Sequence, residues 1–247
     1  MSKRTCALTA VFLVILLFTP MIASAQDFIA PPESLPGGLS YQQWSALWWQ
    51  WAWAIPLPIN PIFDLTGADC AVHQFRYGPV WFLAGTNGTE ATRDCTIPAG
   101  KMIFFPIINY GNDYPCPDKN FQPGPRQSLE QFLTIGYGGY IGARQPIDHV
   151  TAVSASLDGV SVSDQDLFPP PENSKYRDTS PIFWFHGDPS LKDWDPCVPV
   201  AHTAVSDGYW IMLKPLSKGA HTLIFSGTET FPTYSTGLTV TYNLTVK

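Results

Sequence analysis

The chain has 247 residues, of which 45% are hydrophobic, 14% aromatic and only 14% charged, with 24 prolines, 19 glycines and a formal net charge of −6. It is too apolar and aromatic to be a disordered segment, and too rich in chain breakers to be a helical bundle. The acidic balance and the lack of any basic cluster exclude nucleic acid and an anionic membrane surface as partners.

Residues 1–25 read as a secretory signal peptide. Lys3 and Arg4 form a positive start, Ala10 to Phe18 a short apolar core, and Ala23-Ser24-Ala25 a small-residue cleavage site. The apolar run is well short of the roughly 20 residues that a membrane span needs. Cleavage would leave 14 − 2 = 12 basic residues against 20 acidic ones, a net charge of −8. No later stretch is apolar enough to span. A secreted, periplasmic or extracellular location is therefore expected, with residues 26–247 as a single domain. Cys6 would leave with the signal. Cys70, Cys95, Cys116 and Cys197 remain, and an even number in an exported chain implies disulfides. Of the three connectivities, Cys70–Cys95 with Cys116–Cys197 is the expected one.

After a Pro- and Gly-rich lead-in (26–39), Ser40 to Pro56 reads SYQQWSALWWQWAWAIP and holds five of the nine tryptophans. Ser40 with Gln43 is a capping-box start, and Ile55-Pro56 is a helix end. At about 100° per residue, Trp44, Leu47, Trp48, Trp51 and Ile55 share one face, while Trp49 and Trp53 lie opposite with Ala46. Such a helix is either sandwiched or presents one side to a partner. Gly78 to Gly85 is expected to be a buried strand, Asn87-Gly88 a two-residue hairpin turn, and Glu90 to Ile97 the return strand. Lys101 to Ile108 is another apolar strand, with Pro106 marking an edge or bulge. Asn109 to Arg126 reads as a long irregular loop. Ser128 with Gln131 opens a second, short helix that Gly136 ends. Val150 to Leu157 turns at Asp158-Gly159 as a hairpin. An irregular stretch then runs to about Thr179.

Pro181 to His186, Gly208 to Leu213, Gly219 to Phe225 and Gly237 to Val246 each fit a strand. In the last, Leu238, Val240, Tyr242, Leu244 and Val246 alternate with polar residues, giving one buried and one wet face. Roughly eight or nine strands with little helix and no long repeat predict a mainly β fold. The expected form is an antiparallel β-sandwich, jelly-roll or Ig-like, with a Trp-rich N-terminal helix and long loops.

The segments WWQWAWAIP, LTGADCA, GPVWFLAGT, CTIPAGKMIFFPIIN and SDGYWIMLKPLSKGAHTLIF are similar to those of a set of uncharacterised secreted prokaryotic proteins. That resemblance covers nearly the whole expected mature chain. It implies an exported bacterial or archaeal protein and carries no catalytic assignment.

Trp49 and Trp53, one helical turn apart, would form a two-ring platform for a sugar, with Gln42 and Gln50 offering polar groups beside it. The simpler alternative is that both rings are core. No histidine pair has metal-ligand spacing; His73 near Asp69 and His186 near Asp188 would need to meet His202 in space. Calcium is the one cofactor with candidate ligands, at Asn109, Asn112, Asp113 and Asp118, or at Asp164 and Asp166, though neither run has EF-hand spacing. There is no nucleophile elbow, and the cysteines are taken up by disulfides. Asp69, Glu90, Asp113 and Asp207 are candidate hydrolytic acids, each equally explained by turn chemistry. Asn87-Gly-Thr89 and Asn243-Leu-Thr245 match the glycan acceptor pattern, conditional on a glycosylating host. Two functional expectations stand. One is an extracellular or cell-envelope protein binding a polysaccharide or envelope component through aromatic side chains. The other is a secreted hydrolase with its acids on long loops, which requires a cleft lined by at least two carboxylates.

Overall fold

The computed structural model describes residues 28–74, 78–161 and 174–247. The expected signal segment 1–25 and the acidic pair Asp164 and Asp166 lie outside them. The architecture is mainly β. The strands are β1 (Val80–Phe82), β2 (Glu90–Ile97), β3 (Met102–Tyr114), β4 (Val150–Leu157) and β5 (Val160–Ser161). They continue with β6 (Arg177–Thr179), β7 (Phe183–Trp184), β8 (Thr203–Leu213), β9 (Gly219–Thr230) and β10 (Ser235–Val246). The α-helices are α1 (Tyr41–Trp53), α2 (Leu129–Ile135) and α3 (Arg144–Ile147), and short 3-10 turns, such as Leu57–Ile59 and Pro189–Asp193, lie in the connections.

One sheet runs β1-β3-β8-β6, with β7 also paired to β8; the other runs β2-β10-β9-β4-β5. The sheets meet through Phe105 and Phe225, whose ring centroids are 4.9 Å apart, and through Ile108, which leaves no room for a side chain at Gly227.

The all-antiparallel expectation is corrected. β1 pairs with β3 in parallel, and so does β2 with β10. The reason lies at Asn87-Gly88. Those residues do not close a hairpin, because β1 and β2 belong to different sheets. Thr86 instead ties the crossing: its hydroxyl donates to the Thr89 carbonyl and accepts from the Thr89 amide. The Asp158-Gly159 hairpin forms as expected, both residues having positive φ (52° and 78°), the backbone a two-residue turn needs.

Both capping boxes are present. Ser40 and Gln43 exchange hydrogen bonds at the start of α1, as do Ser128 and Gln131 at α2. The chain around Pro106 bulges, as a residue without an N–H favours; the β3–β8 register shifts between Pro106 and Ile108. Strand β3 then continues to Tyr114, so the first six residues of the expected Asn109–Arg126 loop are strand. Burial on β10 alternates as its pattern requires, with Val240, Tyr242, Leu244 and Val246 inside. Strand β6 and helix α3 were not legible as such in the sequence.

Helix α1 is enclosed on both sides. Trp48 packs edge-on to Trp210 (5.6 Å) and Trp51 against Phe82 (5.6 Å), while Trp53 lies on Phe185 at 4.5 Å. Two disulfides, Cys70–Cys95 and Cys116–Cys197, pin the loops. Among the described residues, no helix is long and apolar enough to cross a membrane.

Candidate functional site

The geometry of β3 creates the site. Along one edge β3 pairs with β8 from Ile103 to Tyr114, but β1 covers the other edge only at Met102 to Phe104. From Ile108 onward that second edge has no strand partner among the described residues. Two cavities line it and meet at Tyr110. The first, about 250 Å³, is bounded by Thr86, Asn109, Glu229, Thr236 and Leu238. The second, about 280 Å³, is bounded by Asn112, Asp113, Phe121, Tyr140 and Asp195 among others.

Asp113 dominates the second cavity. It is 4% exposed, and its Oδ2 has no hydrogen-bond partner. Burial pushes its carboxyl well above the ordinary carboxylate range, and the nearby charge of Asp195 pushes in the same direction. Oxygens of Asp113 and Asp195 and the Cys197 sulfur lie within 4.8 Å of one another. The disulfide explains this convergence. Cys116 is three residues beyond Asp113 and Cys197 two beyond Asp195, so bonding the cysteines brings the acids together. Asp195 is further held by the Cys197 amide, which donates to its Oδ1 at 2.8 Å.

The walls mix rings and polar groups. Asn112 donates both amide hydrogens to carbonyls, of Leu133 and Ile141 (3.1 Å each), leaving its Oδ1 as acceptor. The Tyr140 hydroxyl donates to Asp118 at 2.6 Å, which holds the Asp118 carboxyl below its ordinary range. Phe121 stands edge-on to Tyr140 at 5.3 Å. Tyr110 is 36% exposed between the two cavities; burial raises its phenol, reinforced by Asp195, Asp113 and Glu229. Burial likewise raises Glu229.

A second polar cluster lies where β6 meets β8. Asp207, 1% exposed, accepts from Arg177 Nε at 2.9 Å and from the Thr179 hydroxyl, and Arg177 also bonds Asp148 at 2.6 Å. Burial raises the Asp207 carboxyl despite Arg177. Asp178 beside it is pushed up to about 6, chiefly by burial, against a hydrogen bond from Gln42. Here every strong group has a protein partner, which is the pattern of a structural network.

Trp49 and Trp53 are 6% and 1% exposed, so they offer no open platform; they wall in Gly111, and core packing claimed both sides of the helix. Gln50 donates to the Trp184 carbonyl at 2.7 Å. Of the calcium candidates, Asn112, Asp113 and Asp118 line one cavity, while Asn109 faces the other. Of the candidate acids, Asp113 and Asp207 are buried at separate places, Glu90 is exposed and Asp69 half-buried. His202 stacks on Trp184 at 4.8 Å, and among the described residues no metal-spaced group contains a histidine. Asn87 and Asn243 are exposed, Asn243 donating to Asp94 at 2.9 Å.

Sequence reasoning missed Asp195, Tyr110 and Glu229. For Asp195 a signal existed: its distance of two residues from a cysteine expected to bond Cys116. For Tyr110 and Glu229 there was none, since strand pairing alone places them. No family model matches the chain, and neither does any curated protein or solved structure.

Proposed function

We propose that this chain is an exported ligand-binding domain that holds a polyhydroxylated ligand, of the carbohydrate class, along the open edge of β3. The buried Asp113 oxygen without a protein partner, facing a cavity walled by aromatic rings, carries the reading. Sugar hydroxyls donate well to carboxylates, and sugar C–H faces pack on rings. Tyr110 and Tyr140 take the role expected of Trp49 and Trp53, with the buried Phe121 ring behind Tyr140. The two disulfides suit an oxidising compartment. We read the two contacting sheets as a β-sandwich that presents its site at an edge.

The test is a polysaccharide pull-down or glycan array with the wild type, Tyr110→Ala and Asp113→Asn. Binding that falls at least about tenfold in both variants supports the reading; no glycan bound, or binding untouched by either change, removes it.

A second reading is favoured by one observation, the close approach of two carboxylates. Retaining glycoside hydrolysis uses a pair of carboxyl groups about 5 Å apart, and carboxylate oxygens of Asp113 and Asp195 lie within 4.8 Å of each other. Release of reducing ends from a bound polysaccharide, lost in Asp195→Asn, would distinguish hydrolase from binder.

A further inference from the structure

We infer that Asp113 and Asp195 form a site for a hard divalent cation of the calcium class, lying against the β3 edge. This deepens the ligand-binding reading, since a cation there would present open coordination positions to ligand hydroxyls.

Four observations converge. Asp113 is 4% exposed, and its Oδ2 finds no donor in the protein. A buried carboxylate oxygen without a partner needs a proton, a water or a cation. Three carboxylates, Asp113, Asp118 and Asp195, line the cavity, and no lysine, arginine or histidine does. Among the described residues, none of the three forms an ion pair. Further, the Asn112 amide is locked by two carbonyls, so what it can offer is an oxygen. Finally, the one sulfur close to both acids belongs to Cys197, which is bonded to Cys116 and supplies no thiolate. The donors are therefore all oxygen, a set that selects calcium or magnesium over zinc or copper. Calcium takes six to eight oxygens, more than these side chains supply, so water or ligand hydroxyls must complete the shell. The cavity is large enough, at about 280 Å³, to admit them.

The same disulfide that creates the site makes it conditional. The site needs the end of β3, which carries Asp113, and the segment before Cys197 held together, which no strand pairing does for Asp195.

The experiment uses the oxidised mature protein, stripped with EGTA and desalted, then titrated with calcium, magnesium and zinc. Melting temperature and calorimetric heats are the readouts. Expected is a rise in melting temperature with calcium, saturating by about 10 mM, with zinc weaker. Asp195→Asn, at a half-buried position where the amide oxygen can still accept from the Cys197 N–H, should weaken calcium at least about tenfold, and Asp113→Asn should abolish the shift. Glu90→Gln, exposed on β2, should behave as wild type. Absence of any calcium or magnesium effect overturns the inference, as does an effect that survives both site substitutions. A glycan screen run with and without EGTA separates the two claims. Calcium binding without any glycan sinks only the carbohydrate reading, whereas EGTA-insensitive glycan binding with no calcium shift sinks only the cation.

Discussion

Arg93 is the clearest case of a residue whose role is invisible until its surroundings are known. It occupies an inward position of β2, 1% exposed, and among the described residues it forms no ion pair. Its guanidinium instead donates to the carbonyls of Asp64 (2.6 Å), Ala84 (2.7 Å) and Gly85 (3.1 Å) and to the Tyr242 hydroxyl (2.7 Å). Those carbonyls belong to irregular chain that no ladder satisfies, so a fork of five donors replaces one. Arg93→Met should lower stability by about 3 kcal/mol or more, because several buried acceptors lose their donor at once; Arg93→Lys should not restore it. Urea unfolding reads both.

Asp178 gives a pH prediction at the same scale. Its folded pKa of about 6 exceeds the ordinary 3.8, so the folded state holds the proton more tightly than the unfolded chain. The stabilisation from a neutral Asp178 is therefore complete below about pH 4 and is lost as pH rises through about 6. Asp207, raised in the same direction, adds to the trend, while Arg177 and Arg144 oppose it. Melting temperature should fall between about pH 4 and 6.5, and Asp178→Asn should flatten that part of the profile. A profile that Asp178→Asn leaves unchanged would assign the slope to other groups.

At the scale of elements, α1 and β3 define one another. An added Cβ at Gly111 would stand 2.9 Å from the Trp53 ring and 3.1 Å from Trp49, so the strand carries glycine where two indoles press on it. Gly111→Ala should cost about 1–3 kcal/mol by overpacking and shift the near-ultraviolet signal of the tryptophans. The two faces of the helix should be equally sensitive. Trp48, which donates to the Leu83 carbonyl at 2.9 Å, and Trp53, packed on Phe185, are each 1% exposed. Truncation of either to alanine should cost about 3–5 kcal/mol. A mild Trp53→Ala would revive a functional open face for that side, so the paired melts decide the matter.

For the whole molecule, the disulfides divide into one that stabilises and one that also builds a site. Cys70–Cys95 closes a separation of 25 residues and Cys116–Cys197 one of 81, for which chain entropy gives roughly 3.5 and 4.5 kcal/mol. Replacing either pair by serine should lower the melting temperature. Only the Cys116/Cys197 double variant should also release Asp195 from Asp113 and abolish cation and ligand binding below its melting point. Equal loss of binding in both double variants would mean that the site depends on global stability alone.

What the residue order determined by itself is local. The two capping boxes, the Asp158-Gly159 hairpin, the bulge at Pro106 and the alternation along β10 all depend on neighbours a few positions apart, and each is written in the chain. The disulfide pairing was also legible. The strand partners were not. Whether Gly78–Gly85 folds back on Glu90–Ile97 or crosses to another sheet depends on which distant strand buries each face better, and a two-residue turn signal does not carry that information. The same limit hid the site. Trp49 and Trp53 have the composition of a binding platform, but whether they meet solvent was decided by Phe183, Phe185 and Gly111, far along the chain. Asp113 and Asp195 are 82 residues apart; a carboxylate becomes chemically distinctive only when burial removes its water and a second charge approaches, and both are properties of packing in three dimensions.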